Sequence, residues 1–287
     1  MTRDWTSLNA RVTASGLDAA LLGALRGRWG YSAGGPLQRE LQIAQGPVPA
    51  VPHLSPTPVA VADQTLSVWA DGDALWLGEK LHLEVRERGA TITVTPDASE
   101  AAWTLAFVEA HRAGGWLPLH ASVLAHAGRA VAITGVSGAG KSTAALRLAG
   151  TGLQVLAEDH AWVSPERCTV GFDTHLRAYE DSVRRFAPHL LPQAVGHDVH
   201  GKLLLPLTRP GGQAVLSALL AFGLPAHPTA AERVRALWEA TGVPLTMTGR
   251  QRSAAGVTAL LPHLPVLGTA REDALELTRT HLNIASD

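Results

Sequence analysis

Gly135-Val136-Ser137-Gly138-Ala139-Gly140-Lys141-Ser142 fits the pattern G-x-x-x-x-G-K-[ST] at every fixed position. Glycines at 135, 138 and 140 let the backbone turn tightly and aim successive N–H groups inward, where phosphate oxygens would lie. Lys141 adds a point charge suited to the β- and γ-phosphates of a nucleotide. Ser142 offers a hydroxyl to Mg²⁺, and a helix starting here adds its positive end. Gly135, Val136, Ser137, Gly138, Ala139, Gly140, Lys141, Ser142 and Thr143 are therefore the candidate nucleotide-binding residues.

The flanks agree with that reading. Arg129–Thr134 reads as a short buried strand leading into the loop, and Ser142–Ala149 as an alanine-rich helix carrying Leu146 and Leu148. Gly150 is placed to end the helix. Strand, loop and helix in that order are the context the motif requires; the alternative is a glycine-rich turn that matches by chance. Beyond the helix, the apolar stretch Leu153–Ala157 runs into Glu158 and Asp159. A strand that packs beside the loop helix would bring both acids near the loop. One carboxylate would then hold Mg²⁺ directly or through water, and its neighbour would accept a proton from an incoming hydroxyl. The alternative is a solvated acidic turn, and which acid would be the base stays open.

Composition sets outer bounds. The chain has 287 residues, 46% of them hydrophobic and 17% charged, as expected of a soluble globular protein. A formal net charge of −1 argues against a nucleic-acid or anionic-membrane partner. Cys168 is the single cysteine, so an internal disulfide and a thiolate zinc site are excluded, and a reducing cytoplasm is the expected location. The start of the chain carries an early acid and no apolar segment, unlike a secretory signal. No apolar stretch approaches the ~20 residues of a membrane helix.

Residues 1–115 read as a mostly β portion and 116–287 as a nucleotide-binding domain. Leu17–Leu25 suggests a short helix, and the prolines between Gly46 and Pro58 an extended loop or linker. Leu66–Trp69, Ala74–Leu77, Leu81–Val85 and Thr91–Val94 alternate with period two and predict an antiparallel meander. Asp97-Ala-Ser-Glu100 opens a helix that ends near Gly114-Gly115. Further on, Leu119–Leu124, Ala161–Val163, Ala214–Phe222 and Leu264–Leu267 read as strands. Thr229-Ala-Ala-Glu232 and Thr269-Ala-Arg-Glu272 each have capping-box spacing and predict helix starts.

Leu119-His120-Ala121-Ser122, the loop itself, and Gly152-x-x-Val155-Leu156-Ala157-Glu158-Asp159 together resemble the catalytic domain of HPr kinase/phosphorylase. That family shows a histidine upstream of a G-x-S-G-x-G-K-S loop and a Gly-x-x-Leu-Val-x-Asp-Asp segment after it. The resemblance is specific over residues 119–163. It implies an α/β, HPr-kinase/PEP-carboxykinase-like P-loop domain that uses ATP and Mg²⁺ to move the γ-phosphate onto a hydroxyl. It further implies that Lys141, Asp159, Glu158 and His120 are catalytic, that Ser142 and Asp159 hold the metal, and that His120 lies near the phosphates. For His120 a core position at a strand start is the equal alternative. The first acid is Glu158 where the family has aspartate, Thr143 stands where HPr kinases carry glutamate, and no R-G-x-G signature follows. The resemblance thus points to HPr-kinase-related proteins of unassigned target, with a serine of a protein, a peptide or a free amino acid as acceptor. HPr kinases form hexamers, which leaves a homo-oligomer open. Two rival readings stand beside it: a nucleotide-binding regulatory module without phosphotransfer, and a PEP-carboxykinase-like enzyme.

Other signals are weaker. His197 and His200 have metal-like spacing without an apparent third ligand, and Lys202 reads either as a phosphate contact or as a surface lysine. Arg184-Arg185 and Arg250-Gln251-Arg252 read as solvated clusters or as contacts for an acidic or phosphorylated partner, and Cys168 as structural or incidental. Trp69, Trp76, Trp103 and Trp116 read as core, with an aromatic ligand face as the alternative.

Overall fold

The computed structural model describes residues 3–61, 64–207 and 211–284. Residues 1–2, the first part of the chain start read above, lie outside them, as do 62–63, 208–210 and 285–287. The protein is a mixed α/β chain of two compact units. One unit comprises the residues up to Trp116 together with Val243–Gly256; the other comprises Leu117–Gly242 and the chain from Val257 onward.

The first unit is built on strands β1 (Arg3–Ser7), β2 (Ala10–Ser15), β3 (Arg39–Gln45), β4 (Thr57–Val61), β5 (Gln64–Asp71), β6 (Ala74–Leu77), β7 (Leu81–Arg86) and β8 (Gly89–Val94). They form one sheet in the order β1-β2-β3-β8-β7-β6-β5-β4. The antiparallel meander is present as β5–β8, and β3 runs parallel to both β2 and β8. Alternation along β7 buries Leu81, Leu83 and Val85 on one face. Helices α1 (Ala19–Trp29) and α2 (Glu100–Ala113) belong to this unit, and Trp29 stacks on Phe107 with ring centroids 4.6 Å apart. Ser99 caps α2 by accepting from Ala102 N, and Gly114 follows its last residue. All four tryptophans read as core are buried.

Two features depart from the sequence reading. The proline stretch is internal to this unit and is not a linker between domains. It leads into edge strand β4, where Pro58 costs no essential ladder bond, and Pro49 O accepts from Trp76 Nε1 at 3.1 Å. Residues Val243–Gly256, expected in the second domain, are tied instead to the first unit. Buried Glu109 accepts from Leu245 N and from Thr246 N and Oγ1, and Asp73 accepts from Thr248 N and Oγ1.

The second unit contains β9 (Leu117–His120), β10 (Ser122–His126), β11 (Arg129–Thr134), α3 (Lys141–Ala149), β12 (Gln154–Ala157), β13 (His160–Val163), β14 (Cys168–Gly171), β15 (His175–Ala178), α4 (Glu180–Phe186), β16 (Leu203–Pro206), β17 (Gln213–Phe222), α5 (Ala230–Thr241), the end of α6 (Met247–Leu260), β18 (Val266–Thr269) and α7 (Ala274–His281). Its main sheet runs β12-β10-β11-β17-β14-β13-β9, with β18 beside β17. Strand β17 is buried on both faces. Leu219 packs with Leu117, Leu237 of α5 and Leu260 of α6, while Leu220 packs with Ile133, Leu146 and Leu148 of α3 and Val183 of α4. Such two-sided burial explains why β17 reads as a continuous apolar run.

The structure corrects three local expectations here. The single strand expected over Leu119–Leu124 is two strands, β9 and β10, broken at Ala121. The strands paired with it break at the same level: β9 pairs with β13 (His120↔His160) and β10 with β12 (Val123↔Ala157). The polar groups at this shared bend are satisfied, since Ala121 N donates to Asp159 O, Ser122 Oγ to Glu158 O and Thr134 Oγ1 to His120 O. Thr269 opens no helix. It ends β18 opposite Phe222, and α7 starts later, behind Asp273. Gly150 is right-handed (φ −59°), so left-handed freedom is not its role. A Cβ there would lie 2.3 Å from Phe186 O, so close approach requires the glycine. Thr229, by contrast, forms the full capping box with Glu232.

Candidate functional site

The site is assembled from the glycine-rich turn after β11 and from the bend between β12 and β13. Gly138 (φ +77°) and Gly140 (φ +105°) hold left-handed conformations that strain any side chain. Gly140 is the N-cap of α3 and supplies no side-chain acceptor, so the first-turn N–H groups of this helix are left without an intrahelical partner or cap. They and the helix dipole present positive potential at the turn. Lys141 is buried, and its Nζ donates to Gly135 O at 2.9 Å, folding the side chain across the turn. Arg271, from the segment between β18 and α7, holds the outside: Nε donates to Ala139 O at 2.5 Å and Nη2 to Gly138 O at 3.0 Å.

The bend supplies the acids. Glu158 is buried, and its Oε1 accepts from Ser142 Oγ in the first turn of α3. Arg177 on β15 donates to the other oxygen, Oε2, through Nε at 2.8 Å and Nη2 at 2.7 Å. Asp159 faces the other way. Its Oδ1 lies 2.9 Å from His120 Nε2, and its Oδ2 lies 3.6 Å from His160 Nε2 and 3.8 Å from Arg177 Nη2. Asp173 closes the bend from behind: Oδ2 accepts from the backbone N–H of Glu158, Asp159 and His160 at 2.8, 2.7 and 2.8 Å.

Electrostatics follow from this crowding. Desolvation pushes Asp159 up, but the His120 hydrogen bond and the charges of His160, His120 and Arg177 outweigh it, holding the carboxyl well below the usual carboxylate range. Asp173 is likewise lowered, with His160 and the bend N–H groups overcoming desolvation. Desolvation lowers His160, yet Asp173 and Asp159 leave it above its ordinary value. The signs give a pH prediction. The two depressed aspartates contribute stability that is complete above about pH 4 and is lost as pH falls through their folded values. Raised His160 contributes below about pH 6.5, and that part is lost as pH rises through its folded value. Thermal melts should therefore peak in weakly acidic buffer and fall steeply in acid. A flat profile would contradict the pairing.

The structure brings Lys141, Ser142, Glu158, Asp159 and His120 to one end of the sheet. The resemblance places Ser142 and Asp159 at the metal; in the structure Ser142 bonds Glu158, and Asp159 turns to His120. The reason is the bend, which sends successive side chains to opposite sides. His120 is 54% exposed in its side chain, so it is not a core histidine. His160, Asp173, Arg177 and Arg271 were missed. Asp173 follows apolar β14 as Glu158 follows β12, the one signal that would have found it. Lys202 Nζ lies over the Tyr179 ring at 5.6 Å, and Asp198 Oδ1 accepts from His200 N and Lys202 N, a turn that accounts for the His197–His200 spacing. Among the described residues no group of three or more His, Cys, Asp or Glu is arranged to hold a metal, and no helix is long and apolar enough to cross a membrane. No protein-family model matches the chain, and no curated protein matches it.

Proposed function

We propose that the second unit is an HPr-kinase-like nucleotide-binding domain that transfers the γ-phosphate of ATP to a hydroxyl in a Mg²⁺-dependent reaction, in a reducing cytoplasm. The observation that carries this reading is the meeting of Ser142 Oγ with the Glu158 carboxylate at the uncapped start of α3. The donors there are hydroxyl and carboxylate oxygens, which suit Mg²⁺ shared with phosphates. Gly138 and Gly140 hold left-handed backbone that lets the turn aim its N–H groups inward, where a phosphate would lie. Ser142 and Glu158 would hold the metal, with Asp159 as the adjoining oxygen donor. Bound Mg·ATP supplies the phosphoryl group and neutralises its charge.

The chain's own residues do the rest. Lys141 and the first-turn N–H groups of α3 orient the phosphates. Arg177 fixes Glu158, whose side chain is only 5% exposed. Asp159, at 24%, is the more open acid. It orients the acceptor hydroxyl and takes its proton late, with the His120 ring bonded to it. The acceptor is a serine-type hydroxyl of a protein, a peptide or a free amino acid.

The test is label transfer. Purified protein, γ-labelled ATP and Mg²⁺ are incubated alone, with free serine and with extract of the host cell. Label on an acceptor supports the kinase; ATP bound but neither transferred nor consumed would overturn it. That outcome would favour the second reading, a nucleotide-responsive switch, for which the Arg271 clasp on Gly138 O and Ala139 O is the specific support. In either reading Arg271→Ala frees the turn. ATP affinity should fall by roughly tenfold, the worth of one charge-assisted hydrogen bond. Titration calorimetry checks this, and unchanged affinity would show that the clasp is idle.

A further inference from the structure

Three successive backbone N–H groups pointing at one place form a concavity that favours a negative charge. Here those groups belong to Glu158, Asp159 and His160, and the charge is supplied internally by Asp173 Oδ2. The same carboxylate's Oδ1 lies 3.4 Å from His160 Nδ1. Asp173 sits just past β14, with a side chain 13% exposed. It touches neither Ser142 nor His120, the partners of the two acids.

A bend in paired strands removes ladder acceptors from the N–H groups that it turns aside. Without Asp173, three consecutive donors would lack an acceptor, and the chain at 158–160 would relax toward water or another partner. The directions of Glu158 and Asp159 depend on that backbone. Glu158 must reach Ser142 on one side, and Asp159 must reach His120 on the other.

We propose that Asp173 is a positioning residue for the reaction above: by accepting all three N–H groups of the bend, it sends Glu158 to the helix start and Asp159 to His120. This rests on the kinase reading only for its kinetic consequence. The geometric claim stands by itself. A residue with a purely structural role would lower stability and leave the His120 ring and the ratio of kcat to KM as they are.

The experiment compares wild type with Asp173→Asn and Asp173→Ala. Asn keeps one acceptor oxygen without the charge, and it carries the test should the Ala variant fail to fold. The first readout is the His120 ring by ¹⁵N NMR. The 2.9 Å contact of His120 Nε2 with Asp159 Oδ1 leads us to expect a proton on Nε2 in wild type; both variants should lose that preference although residue 173 does not touch His120. The second readout is transfer. Asp173→Ala should lower kcat on the order of 100-fold, the effect of a misplacement of about 1 Å. Asp173→Asn should fall between that and wild type, and the KM for ATP should stay near wild type in both. An unchanged His120 signal with kcat at the wild-type level in the folded variants would overturn the proposal. A wild type that transfers no phosphate would sink the kinase reading, while the ring signal would still decide the role of Asp173.

Discussion

Lys141→Ala is expected to abolish nucleotide-dependent chemistry while leaving a folded protein. Lys141 is 7% exposed, and its Nζ donates to Gly135 O. Losing that bond costs stability about 1 kcal/mol. Alanine at the first position of α3 returns part of it through helix propensity. The loss at the site is far larger. Lys141 is the only cation within the turn from Gly135 to Ser142, and the Arg271 guanidinium is spent on the carbonyls of Gly138 and Ala139. Removing a preorganised charge aimed at developing phosphate charge costs at least 10²–10³-fold. Transfer or hydrolysis should therefore fall on the order of 1,000-fold, with a melting temperature within a few degrees of wild type. The check is labelled-phosphate release beside a thermal melt. Activity retained with both intact would mean that the turn does not face the reacting phosphate.

Asp159→Asn should be the second large effect, and of a different kind. The amide keeps the shape and can still meet His120, so the fold and the turn proposed to bind phosphate are spared. In the proposed reaction, what is lost is the charge that would orient the acceptor and take its proton, a contribution of roughly 10²–10⁴-fold. The drop should lie in kcat, with ATP affinity near wild type. Glu158→Gln provides the contrast, because Glu158 faces Ser142 and Arg177 and not the open side. That variant should lose its response to Mg²⁺ before it loses anything else. Steady-state kinetics against ATP and against Mg²⁺ separate the two; identical profiles would contradict the division of labour.

The parts of this protein that were legible in the sequence are those written in local chemistry. The turn at 135–142 is held by glycines and a helix start within a few residues of one another, and the meander β5–β8 is written in its period of two. The Thr229–Glu232 box is equally local. Thr269–Glu272 has the same spacing and fails, because Thr269 is claimed by the ladder to Phe222, a partner distant in sequence. The bend at Ala121 and Glu158–Asp159 escaped for the same reason. It exists because two long strands break at one level, and register between distant segments leaves no local mark. Asp173 and Arg177 are invisible until that bend exists, since one binds its N–H groups and the other its first acid. Residues Val243–Gly256 were assigned to the wrong unit because the acids that hold them, Asp73 and Glu109, lie far back in the chain.

The turn, Ser142 and Glu158 are proposed to form one site for a magnesium nucleotide. The direct measurement is calorimetric titration of ATP into wild type and Glu158→Gln, each with and without Mg²⁺. Wild type should bind ATP and bind it about tenfold or more tightly with Mg²⁺, a gain of at least about 1.4 kcal/mol, and the variant should bind without that gain. ATP that fails to bind wild type, or binds with equal affinity with and without the metal, would contradict the account.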